Sequence, residues 1–219
     1  VKHLAAAEER LIKIVSAADD ADSDELVDRV FLPVPLLPTR GCYRQALVEV
    51  QRLRWLIVAN GVVETWEKAL AGGKGADRAK ALKLLLALSS YLRIDANGAD
   101  PATYRRSLAD LIVKFGDTKL GDNLTLAWSC ASPDPYERAR TLIPLAEVRP
   151  PTDAAIQASF ELGILASGTA GASALGLVKG IRKPDEYFKL VIAAPDNPWK
   201  PLAKERLAWL VASQNEATP

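Results

Sequence analysis

The C-terminal third of the chain, Tyr136 to Ser213, consists of short apolar-rich segments separated by prolines and glycines. Pro150 and Pro151 follow one of these segments and Pro195 follows another, each just past the last apolar turn. Proline cannot continue a helix, so it ends one helix and the next begins in a new direction. A short helix cannot bury its apolar face alone, and this organisation therefore favours helix pairs that stack in tandem.

Four positions in the first segment follow the order small, bulky, small and proline. Ala139, Ile143, Ala146 and Pro151 are four, three and five residues apart. These residue types at these spacings resemble the second helix of a tetratricopeptide repeat, including the proline that ends it.

Other positions resemble the first helix of the same repeat. The pairs Leu162-Gly163 and Leu207-Ala208 resemble its leucine–small pair, each displaced by two or three residues from the standard register. The stretch Ile192–Leu210 resembles the proline-containing junction between repeats, and Tyr43–Leu70 resembles the repeat more weakly. The resemblance implies an α-solenoid whose groove holds a peptide or a neighbouring subunit. The lysine- and asparagine-rich carboxylate clamp of some members has no counterpart here.

The whole pattern predicts an all-α protein of tandem antiparallel helix pairs, organised in three segments. Residues 1–40 are predicted to contain N-terminal helices, the first over Lys2–Ala18, and most of a proline-rich connecting strap over Phe31–Gly41. Prolines keep the strap extended, and its apolar content favours packing against the domain over an exposed polyproline ligand. Residues 41–134 are predicted to form helical hairpins, and residues 135–219 the tetratricopeptide-like repeats.

The middle segment carries clear start and stop signals. Tyr43–Ala59 is amphipathic and ends at Asn60-Gly61, a good C-terminal stop. A second, shorter helix after Gly61 is predicted to run back along the first as an αα-hairpin, with Trp55 and Trp66 packed within it. Asp100-Pro101 has the acidic N-cap and first-position proline of a helix start. Leu120–Ser129 fits either one more helix or a short strand.

Composition argues against several classes of function. With 28 Lys and Arg against 27 Asp and Glu, the net charge of +1 creates no global field for nucleic acid or an anionic membrane. His3 is the single histidine, so histidine catalysis and multi-histidine metal sites are not expected, and no cofactor is expected. Cys42 and Cys130 form no CxxC pair; they allow one disulfide or none, and two partly buried thiols are favoured.

No membrane span or signal peptide is predicted from the sequence. The longest uncharged run, Leu162–Val178, is rich in Gly, Ala, Ser and Thr and is short for a transmembrane helix. Close packing between soluble helices suits its small residues equally well. We therefore expect a soluble protein of undetermined compartment.

The favoured function is a non-catalytic scaffold or assembly factor that binds a peptide or a partner subunit. Aromatic residues and arginines are enriched at binding hot spots. The candidates for partner contact, taken to be partly exposed, are Trp199, Trp209, Tyr187, Tyr104, Arg105 and Arg106. For each of them, ordinary packing or a solvated position is the alternative.

Two other classes of function stay open. In a nucleic-acid-binding protein, of the coat or nucleocapsid kind, arginines would converge into a basic groove with tyrosines for stacking. The arginines considered are Arg40, Arg44, Arg52, Arg54, Arg105 and Arg106. In an enzyme, which is not the favoured class, Cys42 and Cys130 are candidate nucleophiles, but neither has a histidine close in sequence. Paired carboxylates could come together only through the fold.

Overall fold

The computed structural model describes residues 5–10, 12, 40–96, 100–168 and 178–216. The regular structure in these ranges is entirely helical, which confirms the all-α prediction. The chain divides into two compact units, Val1–Val63 and Glu64–Pro219. The sequence-predicted boundary at residue 134 lies inside the second unit, between two helices that pack against each other.

Some predictions fall outside the described ranges. Most of the predicted helix Lys2–Ala18 and nearly all of the strap Phe31–Gly41 lie outside the residues that the structure describes. The last two strap residues, Arg40 and Gly41, are helical.

The first unit contains helix α1, Arg40–Ala59, and a helical turn over residues 5–10. The Arg54 guanidinium forms an ion pair with the Glu8 carboxylate. The predicted stop after Ala59 is confirmed: the Asn60 side chain donates a hydrogen bond to the α1 backbone, and Gly61 adopts a φ of 56°. Such a positive φ is readily adopted only by glycine.

Eight further helices follow α1 in the described part of the chain. They are α2 (Val62–Leu70), α3 (Gly75–Ala96), α4 (Pro101–Phe115), α5 (Gly121–Cys130), α6 (Pro135–Ala146), α7 (Asp153–Ser167), α8 (Pro184–Ala193) and α9 (Lys200–Glu216).

Polar side chains cap the first turns of several of these helices. Asp100 accepts hydrogen bonds from the backbone N–H groups of Ala102 and Thr103, both at 3.1 Å, which confirms the predicted start of α4. Thr152 accepts one from the N–H of Ala155 at 3.2 Å at the start of α7. Each bond satisfies a donor that has no partner inside the helix.

The segment that the sequence left open between helix and strand is the helix α5. Leu120 and Leu124, four residues apart, are both buried, so they lie on one face of a helix. The Ser129 hydroxyl donates to the carbonyl of Thr125 at 2.8 Å, which is a helical i to i−4 bond. Other buried residues, among them Leu126 and Ser129, lie on further sides of this helix, which packs against α4, α6 and α7.

Among the described helices from α3 to α9, each packs against the next described one, and α5 also packs against α7. The core of this unit is built around α7, which is buried along most of its first three turns. Trp66 is predicted to pack inside a helical hairpin, but the structure shows it exposed. It lies on α2 beside the buried face, to which Ala69 belongs. The main core cluster comprises Leu126, Ala139, Leu142, Leu145, Ala146, Ala154, Ala158, Leu162, Val178 and Tyr187.

Candidate functional site

Two of the six candidate contact residues lie in the interior. Trp199 is 0% exposed, and its indole stacks on the Phe160 ring with 5.4 Å between centroids. Tyr187 is also buried; its hydroxyl accepts a hydrogen bond from the backbone N–H of Arg182 at 3.2 Å, and burial raises its pKa. The expectation that these two side chains are partly exposed is therefore wrong, because both fill the core around α8.

Three candidates lie on α4, and only one of them is fully exposed. Arg106 is exposed, whereas Tyr104 and Arg105 are half-buried. The Arg105 guanidinium lies 4.3 Å from the centroid of the Trp128 ring and forms an ion pair with Glu137. A cation over an aromatic face and a paired carboxylate are strong fixed contacts. Arg105 thus joins α4 to α5 and α6.

The Glu137 carboxylate is the centre of this small network. One of its oxygens pairs with Arg105, and the other accepts a hydrogen bond from the Ser132 hydroxyl at 2.6 Å. Both donors favour the charged form, so Arg105 first and Ser132 second lower the pKa of Glu137 from its ordinary 4.5. Sequence reasoning missed this role, because no local pattern links Trp128, Ser132 and Glu137 to Arg105.

The lowered pKa makes the Glu137 contribution to stability depend on pH. A carboxyl whose pKa is lower in the folded state stabilises the fold above its unfolded pKa, and the contribution is lost as pH falls through the folded pKa. We expect Glu137→Gln to be less stable than the wild type near neutral pH. The difference should shrink once the pH falls below about 4.5. Urea unfolding at a series of pH values checks this.

The control for this experiment is Val113→Ala on the exposed side of α4, which alters no titratable group. Its difference from the wild type should stay constant over the same pH range. A Glu137→Gln difference that is equally constant would contradict the role given to the network.

Few of the arginines proposed for nucleic acid can be assigned to a free basic surface. Arg54 is paired with Glu8 and Arg105 with Glu137. Arg106 is exposed. The side chains of Arg40 and Arg44 are not among those that the structure describes. Nucleic-acid binding stays a prediction.

The remaining candidate, Trp209, is 53% exposed and lies on α9. α8 and α9 border an open groove of about 490 Å³, which we call the α8–α9 groove, and Trp209 is not among the residues that line it. Its lining is apolar apart from one lysine and comprises Ile192, Lys204, Leu207, Ala208, Val211 and Ala212. Five of these residues recur at helical spacing along α9, and this spacing, which is visible in the sequence, could have indicated the groove.

Asn197 holds the turn between α8 and α9 and so places the groove. Its side-chain amide donates to the carbonyls of Val191 and Pro195, at 3.3 and 2.7 Å. Its side-chain oxygen accepts from the backbone N–H of Trp199 at 3.1 Å. With both ends of the amide bonded, the turn directs Trp199 into the core and holds α9 against α8.

The outer side of α9 combines exposed apolar residues with two exposed charged ones, Lys204 and Glu205. Ala208, Trp209, Val211 and Ala212 are all exposed, Val211 to 51%. Lys204 is exposed at the groove and makes no ion pair or hydrogen bond with the described part of the chain. The groove can therefore accept an apolar group beside a negative charge.

The sequence matches no protein-family model, and comparisons with curated proteins and with solved structures found no match. Within the ranges that the structure describes, no three His, Cys, Asp or Glu side chains are placed to hold a metal ion. No helix in those ranges has both the length and the apolar character to cross a membrane.

Proposed function

We propose that the protein is a non-catalytic scaffold that binds a partner protein at the α8–α9 groove. The observation that carries the proposal is the exposed apolar outer side of α9 beside that groove. Large exposed apolar patches mark interaction sites in soluble proteins, and we propose that this smaller group of apolar residues is part of one. Trp209 is also of a residue type enriched at binding hot spots.

We further propose that the helices form a tetratricopeptide-like solenoid. The order of packing supports this, since α3 to α9 each contact their neighbour in sequence. Short connections between such helices favour antiparallel neighbours. The main packed neighbour of α9 in the described chain is α8, and the proposed partner would bind along the border between these two helices.

Covering the outer side of α9 would contribute appreciably to binding. Val211 is 51% exposed, so covering its exposed part contributes about half of the roughly 1.5–3 kcal/mol that complete burial of such a side chain supplies. Since about 1.4 kcal/mol is a factor of ten in affinity, loss of the Val211 contact alone is measurable.

We expect Val211→Asp to weaken retention of the natural partner at least about tenfold, because it places a charge in the apolar contact. The measurement is quantitative affinity purification of the tagged protein from its own source, after nuclease treatment, with wild type and variants side by side. Trp209→Ala should weaken the same partner, but by less than Val211→Asp.

The matched control is Val113→Asp, which makes the same change at a valine that is 87% exposed on α4. It should retain the partner as the wild type does. Equal loss in both aspartate variants, or no stoichiometric protein that depends on Val211, would overturn the proposed function.

A further inference from the structure

We propose that Asn60-Gly61 is a deamidation site that the folded end of α1 holds unreactive, and that local opening of this end allows the reaction. An asparagine followed by glycine is especially prone to spontaneous deamidation, because glycine has no side chain to hinder the approach of its backbone nitrogen. The proposal does not depend on the α8–α9 groove. It assigns a covalent modification to the turn between α1 and α2.

The reaction needs water and no other reagent. The backbone nitrogen of Gly61 loses its proton and attacks Cγ of the Asn60 side chain. The new N–Cγ bond closes a succinimide ring, and the Cγ–Nδ2 bond breaks, so the side-chain nitrogen leaves as ammonia. Water then opens the ring at either carbonyl and gives aspartate or isoaspartate. No atom is oxidised or reduced in any of these steps.

The fold engages both reacting groups in other contacts. The backbone N–H of Gly61 donates a hydrogen bond to the carbonyl of Val58 at 3.0 Å, and the attacking nitrogen must first give up this bond. The Asn60 side-chain amide donates to the carbonyl of Leu56 at 2.9 Å, which holds it towards the preceding turn of α1. Asn60 is also 7% exposed, so water has little access to it. Attack on Cγ therefore requires the end of α1 to open.

Opening of this end has a free-energy cost, because buried apolar residues lie on both sides of the site in sequence. Leu56 and Val62 are each 3% exposed. Local opening precedes many reactions of folded chains, and a reaction that is slow relative to reclosing proceeds in proportion to the open population. Each tenfold decrease in that population corresponds to about 1.4 kcal/mol of opening free energy. The rate at Asn60 therefore measures the stability of the end of α1.

The product favours the open form. An aspartate at position 60 has no N–H to donate to the Leu56 carbonyl, and its charge would lie beside that oxygen. It would also lie at the C-terminal end of α1, where the helix dipole disfavours a negative charge. A chain that has reacted is therefore less able to close this end again, and the modification acts in one direction.

The test is peptide mapping by mass spectrometry of the full chain after incubation at neutral pH, with isoaspartate measured at Asn60. A synthetic peptide of residues 57–63 gives the rate without the fold. We expect Asn60 to react at least about tenfold more slowly in the folded wild type than in the peptide. Equal rates in the folded chain and the peptide would overturn the proposal.

Leu56→Ala removes a buried side chain and keeps the carbonyl that accepts from Asn60. It is expected to speed deamidation at least about tenfold, because it makes opening easier. The matched control is Val58→Ala, on the same helix at a side chain that is 59% exposed, which should react at the wild-type rate. Equal rates in these two variants would contradict control by opening. Asn60→Asp should unfold at a lower urea concentration than the wild type, and unchanged stability would refute the one-way assignment.

Discussion

Trp199→Ala is expected to lower the free energy of unfolding by about 3–5 kcal/mol, because it opens a large cavity in the core. The indole is fully buried and stacks on Phe160, whose ring in turn lies 5.9 Å from that of Phe188. Partial collapse of the surrounding side chains cannot replace an aromatic ring of this size. Urea unfolding followed by far-UV circular dichroism gives the measurement.

Trp209→Ala is the natural control, since it makes the same change ten residues further along the chain. Its side chain is exposed, so we expect a change within about 0.5 kcal/mol. Equal destabilisation by the two replacements would contradict the burial assigned to Trp199 and the exposure assigned to Trp209.

Gly163→Ala is expected to destabilise the protein by about 1–3 kcal/mol, through overpacking between α7 and α8. A Cβ atom at Gly163 would lie 2.7 Å from Cε1 of Phe188, closer than carbon atoms approach in proteins. The Phe188 ring is buried and packs against Phe160, so it has little room to move away. The free energy of unfolding, from denaturant titration, is again the quantity to measure.

Gly75→Ala at the start of α3 provides the comparison. An added Cβ there meets no atom within 4 Å, and Gly75 has no positive φ. Where the backbone is compatible, glycine to alanine stabilises by about 0.4–1 kcal/mol, because it restricts the unfolded chain. If Gly75→Ala lowered the free energy of unfolding as much as Gly163→Ala, contact with Phe188 would not be the cause of the destabilisation at Gly163.

The sequence predicted the helices well wherever short-range signals coincide with them. The helix that starts after Asp100 and the one that stops before Asn60-Gly61 have the predicted ends, because capping and the left-handed stop depend on adjacent residues. Leu120–Ser129 could not be assigned in the same way, since its residues tolerate either conformation. It is a helix that packs against the helices before and after it and against α7, and such packing cannot be read from its own residues.

The candidate site was less predictable than the helices. Trp199 and Trp209 occur in one short stretch and have the same side chain, so residue type alone does not distinguish the core residue from the surface one. The Asn197 hydrogen bonds turn the chain so that Trp199 faces inward. The Leu162-Gly163 pair resembles a pair in a known repeat. The reason that a glycine fits at position 163 is the close approach of Phe188, which lies on another helix.

The sequence by itself determined the all-helical class, the main interruptions between helices and the lack of a strong net charge. Each of these follows from neighbouring residues or from a simple sum over the chain. Only the tertiary structure decided which aromatic rings are buried, which arginine is held by Trp128 and Glu137, and where α8 and α9 leave an open groove. Those features depend on contacts between residues far apart in sequence, and such contacts exist only once the helices have packed.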